Sequence, residues 1–134
     1  MQRDTRQRRA IRAVFERGQR PLSPEEVHRA AQAGAPTLGL ATVYRNLKAL
    51  VEEGWLVPVA LPGAAPRYEP AGKRHHHHFR CRECDRLYEV EGCEPQVRAP
   101  RGFQIESHDV LLYGRCAACV EAGAPPRARA QRRS

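Results

Sequence analysis

Leu40-Ala41-Thr42-Val43-Tyr44-Arg45-Asn46-Leu47-Lys48-Ala49-Leu50-Val51-Glu52-Glu53-Gly54-Trp55-Leu56-Val57-Pro58-Val59 contains a change of period that decides the fold. Up to Glu53 the apolar residues Leu40, Val43, Leu47, Leu50 and Val51 recur at helical spacing and make one stripe. Gly54 is the stop signal. Beyond it, Trp55-Leu56-Val57 and Val59 read as a strand, Pro62-Gly63 as a turn, and Pro66-Arg67-Tyr68-Glu69 as the return strand.

Two more helices precede this stretch. Residues 3–17 place Ala10, Ile11, Val14 and Phe15 on one helical face, with arginines on the others, and Gly18 ends the pattern. Ser23-Pro24-Glu25-Glu26 is a helix start. The serine hydroxyl can cap, proline fits the first helical position, and Glu26 can complete a capping box. Val27, Ala30 and Ala31 give this helix a small apolar face up to Gly34. Three helices and then a β-hairpin is the element order of a winged helix-turn-helix, although the helices alone equally fit a generic three-helix bundle. The expected fold class is α+β, with a winged helix over 1–70. A second, small α/β module follows over 71–122, and 123–134 form a basic tail.

The charge agrees with this division. The 134 residues carry 23 Lys and Arg against 15 Asp and Glu, a net +8. Residues 1–20 hold seven arginines against Asp4 and Glu16, and residues 123–134 hold four arginines and no acid. The body between them is close to neutral. Basic ends on a neutral body suit contact with a polyanion rather than a uniformly basic, histone-like role. In the third helix, Thr42, Tyr44 and Arg45 lie where a recognition helix meets base edges, because Arg pairs with guanine and a Tyr ring or Thr methyl meets thymine methyls. Arg6, Arg8, Arg9 and Arg12 of the first helix are candidates for phosphate contacts, and Arg67 of the hairpin for the minor groove. No apolar run approaches the ~20 residues of a membrane helix, and the N-terminus lacks the apolar core of a signal peptide, so the expected compartment is the cytoplasm.

The second module is small and short of apolar residues. Leu87–Val90, Phe103–Ile105 and part of Val110–Tyr113 are strand candidates, and such a module needs a staple. Cys81-Arg82-Glu83-Cys84 and Cys116-Ala117-Ala118-Cys119 supply one. Two CxxC loops bring four thiolates to one ion, a closed set that suits structural zinc. Neither pair opens a helix in a βαβ unit as a redox dithiol does. The fifth cysteine, Cys93, is left over.

His75-His76-His77-His78 precede this motif. In an extended chain His75 and His77 face one way and His76 and His78 the other, which predicts two metal sites sharing one strand. Glu69, Glu89, Glu91, Glu94 and Glu106 are the acids available, and His108 is a further imidazole. His28 reads as a surface residue of its helix.

Together these residues resemble the ferric uptake regulator family of metal-responsive repressors. The resemblance runs from Thr5 to Cys119. It rests on Thr5-Arg6-Gln7-Arg8, Leu22-Ser23-Pro24-Glu25-Glu26-Val27, Ala41-Thr42-Val43-Tyr44-Arg45-Asn46-Leu47 and Arg67-Tyr68-Glu69. In the second module it rests on the histidine run with both CxxC pairs, on Glu89, and on Gly102-Phe103, His108 and Tyr113-Gly114. It implies a homodimer joined through its C-terminal domain and a palindromic double-stranded operator; no nucleophile or base stands out beyond the ligands, so no enzymatic activity is expected. It implies structural zinc at Cys81, Cys84, Cys116 and Cys119. It also implies a sensing site for Zn(2+), Fe(2+) or Mn(2+) at Glu69, His76, His78 and Glu89, and a further site at His75, His77 and His108. The DNA contacts it implies centre on Tyr44 and Arg45.

Three positions depart from the family pattern. The histidine that iron and peroxide sensors carry just before the second helix is Pro21 here. Four consecutive histidines resemble the zinc-responsive branch, but that branch's cysteine after the wing is absent from Pro70-Ala71-Gly72. The stretch from Glu89 to Gly102 is short, which leaves Glu94 or Cys93 as replacements for the usual acidic ligand of the further site. The expected function is repression of zinc- or iron-uptake genes. The alternatives are a peroxide sensor, a manganese-responsive regulator, a metalloenzyme and a zinc-stapled structural or RNA-binding adaptor.

Overall fold

The structure is a computed structural model that describes residues 6–18, 20–92 and 97–123. The chain divides into two compact units, residues 1–74 and 75–134. The first unit runs α1 (Arg6–Arg17), α2 (Pro24–Ala31), α3 (Leu40–Glu52), β1 (Leu56–Leu61) and β2 (Ala64–Pro70). The second runs β3 (His77–Cys81), β4 (Leu87–Val90), β5 (Leu111–Gly114) and α4 (Ala117–Glu121).

The expected start of α2 and stop of α3 are present, whereas α2 ends at Ala31 rather than running to Gly34, and the expected start of α1 at residue 3 lies outside the described residues. The Ser23 hydroxyl accepts the Glu26 backbone N–H at 3.1 Å, and the Glu26 carboxylate accepts the Ser23 N–H at 2.9 Å. This capping box satisfies two of the donors a helix start leaves open. α3 ends where Gly54 adopts a φ of +82°, a conformation an L side chain resists. Val43, Leu47 and Leu50 of α3 are buried with Ile11, Val14 and Phe15 of α1 and Val27 and Ala31 of α2. Ala30, expected on the buried face of α2, is exposed; Ala35 and Leu38, beyond that helix, complete the core instead.

β1 and β2 pair antiparallel, from Leu56 opposite Pro70 to Leu61 opposite Ala64. Pro62-Gly63 makes the expected turn, with Gly63 at φ +68°. The hairpin is tied to the helices: Leu22 and Tyr68 exchange two backbone hydrogen bonds of 2.9 and 2.8 Å. The segment between α1 and α2 thus adds a short third rung, and the hairpin cannot shift without disturbing the entry to α2.

In the second unit β3 is central, with β4 antiparallel on one side and β5 parallel on the other. His77 lies opposite Val90 and His78 opposite Glu89. β3 passes close to β5, where a Cβ on Gly114 would stand 3.0 Å from the Phe79 ring, so a larger residue there would press on that ring. The expected strand at Phe103–Ile105 is not formed, and the third strand is the histidine-bearing β3. Among the described residues the 103–105 segment has no ladder partner, and Phe103 and Ile105 are 71% and 61% exposed. No helix among the described residues is long and apolar enough to cross a membrane.

Candidate metal centres and DNA-facing helix

The two CxxC loops converge. Cys81 closes β3, Cys84 follows in a turn made possible by Asp85 at φ +65°, and Cys116 and Cys119 lie at the start of α4 and within it. The sulfurs of Cys81 and Cys119 are 3.7 Å apart, and those of Cys84 and Cys116 are 3.8 Å apart. All four lie within 4.8 Å of one another and none is in a disulfide. Sulfurs about 2.3 Å from a tetrahedral zinc stand about 3.8 Å from each other, so the spacing and the donor chemistry both fit zinc.

The loops also prepare the thiolates. Burial pushes the Cys81 thiol up, but the backbone N–H groups of Cys84, Cys116 and Glu83 outweigh it and hold the group at about 6. Two of these donors are 3.5 Å (Cys84) and 3.3 Å (Cys116) from its sulfur. The Tyr88 hydroxyl donates to Cys116 and lowers its pKa. Burial and the three neighbouring sulfurs push Cys119 up to about 12. Four thiolates so close together repel one another, and a divalent cation removes that conflict. The spacing of the cysteines gave no sign of Tyr88; its place opposite Phe79 in the β3–β4 ladder brings it here.

The alternation expected of the histidines is present. His75, His77 and His108 converge, with Nε2–Nε2 distances of 3.1 Å from His75 to His77 and 3.2 Å from His75 to His108. Nitrogens about 2.0–2.1 Å from a tetrahedral ion stand about 3.3 Å apart, so this trio is also sized for a metal. Burial, followed by the charges of His75 and His108, lowers the pKa of His77 and favours the neutral, ligating imidazole. His76 and His78 pair separately, their ring centroids 4.8 Å apart. Glu89, directly across the ladder from His78, belongs to the same face. Glu69 is on β2 of the first unit and buried. Cys93 and Glu94, the possible replacements for an acidic ligand, lie outside the described residues, as does the basic tail from 124 onward.

On α3, Tyr44 is 47% exposed and Arg45 is exposed. Arg45 donates to the Thr42 hydroxyl at 2.9 Å, and the Tyr44 hydroxyl donates to Glu25 at 3.2 Å. Arg6 begins α1 and is exposed. Arg8 and Arg67 differ from their expected placement at a DNA surface: both are buried. Arg8 shares the face of Ile11 and Phe15, and its guanidinium pairs with Glu53 at the end of α3. Arg67 faces inward, and its charge helps to lower the pKa of Glu26. Arg12 stacks over Trp55, 5.0 Å from the ring centroid, in a cation–π contact.

Residues 2–113 match the ferric uptake regulator family. The chain belongs to that family. The ferric uptake regulation protein of Campylobacter jejuni is 30% identical over 122 residues, covering 86% of this chain and 78% of that one. The zinc uptake regulation protein of Mycobacterium tuberculosis is 31% identical over 122 residues, covering 87% and 94%. The Helicobacter pylori ferric uptake regulator, whose structure is described as revealing three functional metal binding sites, superposes with a TM-score of 0.65. It is 25% identical, with 91% of this chain and 85% of that one covered. Members of the ferric uptake regulator family are metal-responsive DNA-binding repressors of metal uptake that act as dimers, and this chain is a repressor of that class.

Proposed function

We propose that this ferric uptake regulator represses genes of zinc or iron uptake, and that its three ligand groups have different tasks. Cys81, Cys84, Cys116 and Cys119 hold a structural zinc. Glu69, His76, His78 and Glu89 hold the regulatory ion, and His75, His77 and His108 a further one. The observation that supports this division is the sharing of one short strand: β3 carries His77, His78 and Cys81, which belong to three different donor sets. The regulatory set pairs two imidazoles with two carboxylates, a mixture that suits zinc and iron and also admits manganese.

A bound dication supplies one positive centre shared by neutral imidazoles and carboxylates. The chain's own residues make that binding consequential. Glu69 belongs to the hairpin tied through Tyr68 to Leu22 and so to the helices, whereas His76 and His78 belong to the second unit. Residues 70–74 join them. Ligation of both by one ion would constrain the orientation of the DNA-binding unit. In a homodimer joined through the second unit, with exposed Phe103, Ile105 and Leu112 supplying apolar contact, this sets the spacing of the two α3 helices. The DNA is then a palindromic double-stranded operator in the cytoplasm. Thr42, Tyr44 and Arg45 contact the bases and Arg6 the phosphates, while Arg8 and Arg67 hold the unit together.

The test is a footprint on DNA selected from a random library, titrated with Zn(2+), Fe(2+) and Mn(2+) at buffered free-metal concentrations. A palindromic footprint gained with zinc or iron supports the reading. A footprint indifferent to all three metals contradicts it.

A further inference from the structure

Glu25 is an acid beside the face that the proposed reading turns toward a polyanion. It is exposed at the start of α2, and its carboxylate accepts the Tyr44 hydroxyl proton at 3.2 Å. Neither the metal sites nor the core uses it. Its neighbour Glu26 serves the capping box and the Arg20 ion pair, so the cap does not need Glu25.

The chemistry of that contact restricts what Tyr44 can do. A phenol has one proton to donate and lone pairs with which to accept. With its proton committed to Glu25, the hydroxyl can only accept from DNA. Phosphate oxygens offer no proton, and the Glu25 charge repels them. The major-groove edge does offer donors, the exocyclic amino groups of adenine N6 and cytosine N4. We propose that Glu25 is a specificity-determining residue of the DNA face: it holds Tyr44 as a hydrogen-bond acceptor that selects an exocyclic amino group and keeps the side chain off the phosphate backbone. Burial and the Glu25 carboxylate both raise the Tyr44 pKa, so the phenol keeps the proton this arrangement requires.

This inference rests on the reading of α3 as the DNA-facing helix, and the experiment separates the two. The full-length, zinc-loaded protein is used with a duplex selected from a random library. Each adenine of the half-site is replaced in turn by purine lacking the 6-amino group, and each cytosine by 2-pyrimidinone. Affinities for these duplexes and for an unrelated duplex are measured over a salt series. Wild type should lose about three- to tenfold at one substituted position per half-site, the range of one hydrogen bond, and Tyr44→Phe should be insensitive there. Glu25→Ala should lose discrimination at that position. It should also bind the unrelated duplex about three- to tenfold more tightly at low salt, with a steeper salt dependence. Glu25→Gln, which keeps an acceptor, should retain base discrimination while gaining the same non-specific affinity.

Arg45→Ala is the reference for the helix. If it weakens binding while both Glu25 variants match wild type in base discrimination and salt dependence, the role of Glu25 is overturned and the DNA-facing helix stands. If Arg45→Ala and Tyr44→Phe also bind as wild type does, both are overturned. Circular dichroism of each variant, matching wild type, excludes misfolding as the cause.

Discussion

The two units of this chain reach a stable fold by different routes. The first has a contiguous apolar core in which Ile11, Val27, Val43, Leu47, Leu50 and Leu56 are 0–1% exposed. In the second, Cys81, Leu87, Cys116 and His77 are the buried residues among those described. Two of these are thiols whose sulfurs have the spacing of a metal cluster. The first unit therefore carries its folding energy in the sequence of the chain, while much of the second unit's depends on the supply of an ion. A metal sensor benefits from the division, because the DNA reader stays folded whatever the metal supply.

The largest expected effect breaks the second unit alone. Cys81→Ser, or a chelator strong enough to strip a four-thiolate site, should unfold residues 75–123, since structural zinc contributes apparent binding free energies of about 10–16 kcal/mol. Backbone NMR should show the signals of β3–β5 collapsing while those of α1–α3 persist. Loss of both sets together would remove the distinction. The converse is Leu47→Ala, which opens a cavity in the first core and should cost about 2–5 kcal/mol there. Trp55 is the only tryptophan and packs against that core, so its fluorescence in a urea titration reports this loss. Zinc content should not change.

A smaller effect sharpens the first unit's independence of metal. Ser23→Ala removes one half of the capping box and should destabilise the unit by about 1 kcal/mol. Glu26 is the other half. Burial raises its pKa, but the Ser23 N–H and the Arg20 guanidinium lower it further, and the net value lies below the usual one. The stabilisation it gives is present above the unfolded-state pKa and is lost as pH falls through the lower folded-state value. The Trp55-reported urea midpoint should therefore drop on acidification below about pH 4, near the reference pKa of glutamate, and drop less in Glu26→Gln. An equal drop in both proteins would place the acid sensitivity elsewhere.

The two units also differ in how much of them the sequence disclosed. In the first, the Leu–Val stripe of α3, the Gly54 stop, the Ser23 cap and the Pro62-Gly63 turn are local signals, and each was legible. Hidden were the long-range pairings: Arg8 with Glu53, Tyr44 with Glu25, and Leu22 with Tyr68. Arginine in a helix reads as a solvated cation until its partner is known, and Arg8 and Arg67 read so. In the second unit the ligands were legible and the scaffold was not. Spacing identified the cysteines, and alternation separated the histidine pairs. Four histidines, however, lack the apolar alternation that marks a strand, so only the alternation of their donors in an extended run pointed to β3. Phe103-Gln104-Ile105 has that alternation but forms no strand, and among the described residues nothing buries its apolar side chains. Where metal replaces core, hydrophobic periodicity loses its meaning, and the donor pattern is the better guide.

The central claim is that metal ties the self-sufficient unit to the metal-dependent one through Glu69. The most direct measurement is the affinity of wild type and Glu69→Ala for the library-selected duplex over a range of buffered free zinc that leaves the four-cysteine site filled. Wild type should gain about 5–150-fold across that range, the usual size of an allosteric coupling. Glu69→Ala should stay weak throughout, while remaining dimeric with one structural zinc per chain. A Glu69→Ala protein that gains affinity with zinc as wild type does would contradict the account.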